Sequence, residues 1–194
     1  MERAEHVEEK ARTPAAERLL RVASELFYRE GIRAVGVDTI VERSGVAKMT
    51  LYKNFGSKDE LVVAYLRGRD ERWRAWLEDE VERRTSSPQE RIPAVFDALE
   101  KWMDGDEGFR GCAFVNAWTE ISDRSHPAYA VISEHKRWML GYFEGLAEAA
   151  GDEVPEELAE RLLILYEGAN VARTMRTGRK PIRRARETAE ALIP

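Results

Sequence analysis

Between Arg43 and Lys58 the sequence holds Arg43, Lys48, Lys53 and Lys58 and no acid, a local charge of +4. Projected at about 100° per residue, a short helix over 47–54 groups Lys48, Met49, Tyr52 and Lys53 on one side and Ala47, Leu51 and Asn54 on the other. The first group has the chemistry of a DNA major-groove reader. An ammonium neutralises phosphate or donates to guanine acceptors, a tyrosine hydroxyl bonds a phosphate oxygen, and a thioether packs on a thymine methyl. Free backbone N–H groups at Lys58 and Asp59, opening the next helix, add a place where phosphate is favoured. Two lysines alone read as solvated side chains, so the elements that carry them must decide.

Those elements are helical nearly throughout, because apolar residues recur at spacings of three and four. Thr13 and Pro14 open a helix whose stripe is Leu19, Val22, Ala23, Leu26 and Phe27, and Gly31 suits a left-handed cap. Ile32 to Val37 has strand-like content but no partner strand, and reads as a linker. Helices follow over about 37–44 and 47–54, broken at Gly45. Ser57 with Glu60 forms a capping box for a helix fading near Thr85, and Ser87-Pro88-Gln89-Glu90 repeats the signal for one ending near Met103. The remaining helices are expected over 112–122, 127–150, 155–177 and 181–193. The fold class is all-α: an N-terminal three-helix helix-turn-helix DNA-binding domain, then a larger C-terminal helical domain, which the chain's family resemblance implies is a ligand-binding and dimerisation domain. The expected boundaries are a disordered polar arm over 1–12, the DNA-binding domain over 13–57 and the second domain over 58–194. With no flexible linker between them, the helix after Ser57 can act as a lever.

From Ile40 to Leu61, and more loosely over 15–66, the sequence resembles the DNA-binding region of TetR/AcrR-family transcriptional regulators. The Gly45-Val46 turn, Thr50-Leu51-Tyr52, Phe55 and Ser57-Lys58-Asp59-Glu60-Leu61 occur together at family spacing. The resemblance implies a homodimer on a palindromic double-stranded DNA operator, with a small-molecule effector in the second domain that relieves repression. It implies backbone contacts at Lys48, Thr50, Tyr52 and Lys58, and sequence-reading positions at Met49, Lys53 and Asn54. Arg33, in the linker, is a further candidate that can reach a minor groove. Two positions depart from the pattern: Ala47 and Gly36 stand where the family has a capping hydroxyl.

In the second domain, aromatic side chains are abundant enough to line a partly apolar effector pocket. The candidates are Trp102, Phe109, Phe114, Trp118, Trp138, Tyr142 and Tyr166, with Asn170 as a polar group. The stretch Gly111-Cys112-Ala113-Phe114-Val115-Asn116 resembles one found in a subset of the family. Leu165, Gly168, Ala169, Ala172, Ala189 and Leu192 are the candidate dimer residues, with small side chains for close helix approach. Arg183, Arg184 and Arg186 read as solvated or paired with acids.

Other chemistries find little support. Cys112 is the sole cysteine and reads as an inert thiol, although Arg110 nearby is the kind of neighbour that lowers a thiol pKa. His6, His126 and His135 share no ligand spacing, so no metal is expected. No nucleophile–base pair or phosphate loop stands out, so neither an enzyme nor a cofactor is expected. There is no apolar run of the ~20 residues a membrane span needs and no leader-like start, so a cytoplasmic protein with no membrane contact is the expectation.

The 194 residues hold 31 Lys+Arg and 36 Asp+Glu, a net charge of −5 that argues against a basic nucleic-acid coat protein. The acid is unevenly placed: residues 1–66 carry 11 of each sign, while residues 67–194 carry 20 basic and 25 acidic side chains. A local patch, rather than the total, docks on phosphates.

Overall fold

A computed structural model describes residues 12–105 and 108–194. Apart from Arg12, the expected N-terminal arm lies outside the described residues. The elements are α1 Pro14–Glu30, α2 Val37–Ser44, α3 Lys48–Phe55, α4 Lys58–Arg84, α5 Pro88–Asp104, α6 Ala113–Glu120, α7 Ala128–Ala150, α8 Pro155–Thr174 and α9 Pro181–Glu190. No strand occurs among the described residues, and the strand-like linker forms a turn.

Local signals account for most boundaries. The Thr13 hydroxyl accepts the Ala16 N–H at 3.3 Å, and Ser57 Oγ accepts the Glu60 N–H at 3.1 Å. The second start signal works differently from the expectation. Ser87 makes no side-chain cap to α5. Instead the Thr85 hydroxyl accepts the Ser87 N–H and donates to the Glu90 carboxylate. Gly31 also departs from its expected left-handed cap, with φ 99° and ψ 147°. That backbone is strained for any residue but glycine, and a Cβ there would also lie 2.9 Å from Glu120 Oε2.

The interior divides into two apolar cores. The first joins α1, α2 and α3 to Leu61–Leu66 of α4, and also to Phe114, Ala117 and Ile121 of the α6 region and Val131 and Ile132 of α7. The second gathers Trp73, Leu77 and Val81 of α4 with α5, the later turns of α7, α8 and α9. The cores meet within α4 rather than at Ser57. That helix has 27 residues, roughly 40 Å of unbroken rise, and belongs to both.

Candidate nucleic-acid interface and effector cavity

The turn between α2 and α3 is fixed by short polar contacts over an apolar floor. Gly45 is left-handed, with φ 62° and ψ 25°, and its N–H reaches the Val41 and Glu42 carbonyls at 3.0 and 3.3 Å. Ser44 Oγ donates to the Val41 carbonyl at 3.1 Å and accepts the Val46 N–H at 3.3 Å. Ile40, Val46 and Leu51 fill the space beneath and are buried.

That floor turns one face of α3 outward. Met49 is 74% exposed and Tyr52 45%, and Lys48, Lys53 and Asn54 are exposed beside them. Thr50 is half-buried. The packed side is Leu51 and Phe55, four apart, so Ala47 and Asn54 do not belong to it as the projection predicts. Asn54 instead uses its side-chain amide to donate to the Thr50 carbonyl at 2.8 Å. As the sequence implies, Ala47 gives α3 no side-chain cap.

The cations of the stretch have different settings. Lys48 Nζ lies 2.7 Å from Asp38 Oδ1 on α2, and the hydrogen bond and charge of Asp38 raise the lysine pKa. Lys53 projects from the exposed face. Arg33 exposes its side chain, while its N–H donates to Glu120 Oε2 at 3.1 Å. Lys58 is turned inward: its ammonium donates to the Ile32 carbonyl at 2.7 Å and stands 5.9 Å from the Phe27 ring. Burial lowers its pKa. The +4 stretch therefore presents Arg43, Lys48 and Lys53, and Asp38 offsets part of it.

In the second half of the chain, five of the predicted effector residues come together. Trp102, Phe109, Phe114, Tyr166 and Asn170 line a cavity of about 40 Å³, room for a few waters at most. Trp118, Trp138 and Tyr142 do not reach it. Trp118 lies edge-on to Tyr129 at 4.8 Å with Arg124 over both rings, and Trp138 stacks on Tyr142 at 5.2 Å beneath Arg74. Satisfying their faces elsewhere removes them from the wall.

The cavity has a polar side besides Asn170, made by His135 and Lys136. His135 stacks on Phe114 at 3.7 Å, and its Nδ1 is 2.7 Å from Asp70 Oδ1. Lys136 pairs with Glu167 and lies 3.7 Å from Cys112 Sγ. Burial disfavours the Lys136 charge, but Cys112 and Glu167 outweigh it and raise its pKa. The sequence signal for Lys136 is positional: Ile132, Lys136, Met139 and Phe143 follow one helical stripe. Arg110 does not turn to Cys112; its guanidinium reaches the Tyr28 carbonyl at 3.4 Å. Among the described residues no three His, Cys, Asp or Glu side chains converge as metal ligands, and no helix is long and apolar enough to cross a membrane.

The candidate dimer residues separate in the same way. Ala169 and Ala189, at 5% and 0% exposure, are buried in the second core of their own chain. Gly168 is exposed, and Leu165, Ala172 and Leu192 are half-buried. The outward stripe of α8, continued onto the residue that caps it, is Ile164, Gly168, Val171 and Met175, with Ile164 71% and Met175 70% exposed. Its spacing of four, three and four was available in the sequence. Arg183 and Arg184 pair with Glu187, and Arg186 with Asp97 and Glu190.

Comparison with known proteins bears on both halves. The family described as bacterial regulatory proteins, tetR family, matches residues 19–65, and a tetracyclin repressor-like C-terminal domain matches residues 88–189. The chain belongs to the TetR family. TetR-family crystal structures share its whole fold. A regulator from Streptomyces coelicolor is 32% identical with a TM-score of 0.79, covering 91% of this chain and 90% of its own. Another from Streptomyces avermitilis is 30% identical with a TM-score of 0.76, covering 92% and 99%. The transcriptional activator FasR of Mycolicibacterium smegmatis is 35% identical over 103 residues, 51% of this chain and 47% of FasR, so the match spans about half of that relative. As a TetR-family member the chain is a DNA-binding transcriptional regulator that acts as a homodimer.

Proposed function

We propose that this TetR-family protein is a cytoplasmic repressor released from a palindromic operator by a partly apolar small molecule. The observation that carries the reading is the outward face of α3, where Met49, Tyr52 and Lys53 stand exposed above the buried Leu51 and Phe55. Two such helices in a dimer enter successive major grooves. An effector displaces operator only through its different affinity for the two spacings of the reading helices. The aromatic cavity beside α4 supports an effector, which must enlarge a space of about 40 Å³. A regulator indifferent to small molecules is the second reading, favoured by that same contracted volume. The proposal assigns no catalysis to the chain and no residue to a metal.

The test is selection of bound duplexes from a random pool, repeated with a metabolite panel. A two-fold symmetric site released by one metabolite is expected. Asymmetric or unselective binding overturns the operator assignment, and release by none favours the second reading.

A further inference from the structure

Residues 168–186 hold seven Arg or Lys side chains and no acid. Four of the seven are paired within the chain: Arg173 with Asp104 at 2.8 Å, Arg183 and Arg184 with Glu187, and Arg186 with Asp97 and Glu190. Arg176, Arg179 and Lys180, in the loop between α8 and α9, are exposed and take no ion-pair partner among the described residues. The backbone of this loop is costly for the residues it carries. Among the described residues positive φ falls on glycine, except at Arg176, 55°, and Lys180, 54°. α8 ends in a Schellman motif: the Thr177 N–H reaches the Ala172 carbonyl at 2.9 Å, and the Arg176 N–H the Arg173 carbonyl at 3.2 Å. Arg176 fills the left-handed position that the motif favours for glycine, as Gly151 does after α7. Lys180 opens α9, also left-handed and without a side-chain cap, where an extended Ser, Thr, Asp or Asn is the usual choice. Left-handed backbone penalises a side chain that glycine or asparagine would spare. A merely solvated loop gives no reason to keep a cation at both positions, and strain kept against local preference points to function.

The loop leaves the end of α8 that adjoins the reader. Thr174, the last residue of α8, lies beside Gly111, where an added Cβ would meet its Cγ2 at 3.0 Å. The Gly111 carbonyl accepts the Tyr28 hydroxyl of α1 at 3.0 Å. The other end of α8, at Pro155, is 20 residues and roughly 30 Å away. We propose that Arg176, Arg179 and Lys180 form a second, sequence-independent contact for duplex DNA, a phosphate site on the domain that holds no reading helix. Cations without an internal partner neutralise phosphates and release their counterions. The reader brings DNA to this end of the molecule, and the homodimer carries the site twice. The assignment needs DNA binding only, and stands whether or not the protein represses or takes an effector.

The experiment measures binding of the full-length dimer to a labelled arbitrary duplex by fluorescence anisotropy across a salt series. The test variant combines Arg176→Asn, Arg179→Gln and Lys180→Asn, which removes three charges per subunit and leaves asparagine where the backbone is left-handed. The slope of log affinity against log salt should flatten by at least about two, since each phosphate contact contributes about 0.9. A smaller change overturns the proposal. Arg183→Gln with Arg184→Gln serves as the control, because Glu187 already holds both charges. An equal effect per charge in the control would mean a general field rather than a site, and overturns it too. In a Tyr52→Ala background the loop's increment should persist, as for distant independent sites. An increment that vanishes there makes the loop a support for α3 and overturns the second contact.

Two further readouts separate a DNA site from a structural loop. Sedimentation of the triple variant should show dimers of wild-type affinity; weakened dimers would give the loop to acids of the partner subunit and overturn the assignment. Arg176→Gly alone should raise the thermal midpoint by about 2 °C as the left-handed strain is relieved, while still flattening the salt slope. A lower midpoint removes the strain argument and overturns the proposal.

Discussion

Lys58 and Glu120 hold opposite ends of one peptide group. The Lys58 ammonium donates to the Ile32 carbonyl, and the Glu120 carboxylate accepts the Arg33 N–H, at 2.7 and 3.1 Å. Both atoms belong to the planar unit joining Ile32 to Arg33, so the start of α4 and the end of α6 clamp the turn that aims α2. Lys58→Met should cost about 1 kcal/mol of stability, the low end for a charged hydrogen bond at a half-exposed site. Urea denaturation checks this. An unchanged midpoint, with the salt slope of operator binding reduced by about one, would return Lys58 to the DNA contacts.

The missing cap on α3 is a stability reserve. Ala47 has the extended backbone of an N-cap, with φ −60° and ψ 139°, but no side-chain acceptor. Ala47→Ser should therefore stabilise the protein by about 1 kcal/mol. A higher thermal midpoint with unchanged helix content is the expected result, and a lower one would mean that the hydroxyl disturbs the turn.

Asp38 and Tyr52 should act on DNA in opposite directions. Asp38→Asn frees Lys48 from its partner, so binding to arbitrary duplex DNA should tighten and depend more steeply on salt. Tyr52→Ala removes an exposed hydroxyl and ring, and operator affinity should fall on the order of tenfold. Retardation of labelled duplexes across a salt series reads both. Identical curves for Tyr52→Ala and wild type would remove that face from the interface.

The outward stripe of α8 predicts where the subunits meet. Ile164→Glu or Met175→Glu should yield folded monomers by sedimentation, because both side chains are exposed in the single chain. An unpaired charge buried at a two-fold interface costs on the order of 3 kcal/mol. Dimers of wild-type affinity from both variants would place the interface elsewhere.

Stability should fall in acid from near the histidine range. Burial lowers the His135 pKa more than Asp70 raises it. Burial pushes Asp70 upward, but hydrogen bonds from His135 and Arg74 leave its pKa below the usual carboxylate value. The folded His135 is then neutral where the unfolded one is already protonated, so stability declines as pH drops below about 6.5. The Asp70 contribution is present above about 3.9 and lost as pH falls further, through its lower folded pKa. Urea midpoints between pH 7.5 and 5 should show this slope, and His135→Gln should flatten it.

Local grammar made most of the fold readable. The Thr13 and Ser57 caps, the Gly45 turn and the periodic stripes are decided by neighbours a few residues apart, and the structure keeps them. Choices made by distant partners were not readable. Lys58 looks like a DNA contact in sequence, but the carbonyl that captures it is 26 residues away. Trp118 and Trp138 have the composition of a pocket wall, yet Tyr129 and Tyr142 hold their faces elsewhere. Gly31 looks like an ordinary helix stop because Glu120 lies 89 positions on. Asn54 is a smaller case: a projection by angle gives no weight to Phe55, which takes the buried position.

The shared first core bears on how such a regulator can be re-engineered. A reader cut out after Ser57 would leave behind the side chains of Phe114, Ala117, Ile121, Val131 and Ile132 that complete its interior. Grafted onto a foreign sensor, it would meet the wrong surface and lose the acceptor for the Arg33 N–H. The transplantable unit is discontinuous in sequence: α1 to the first turns of α4, together with α6 and the opening of α7. Swapping operator specificity is then better done by changing the exposed residues of α3 in place than by exchanging whole domains.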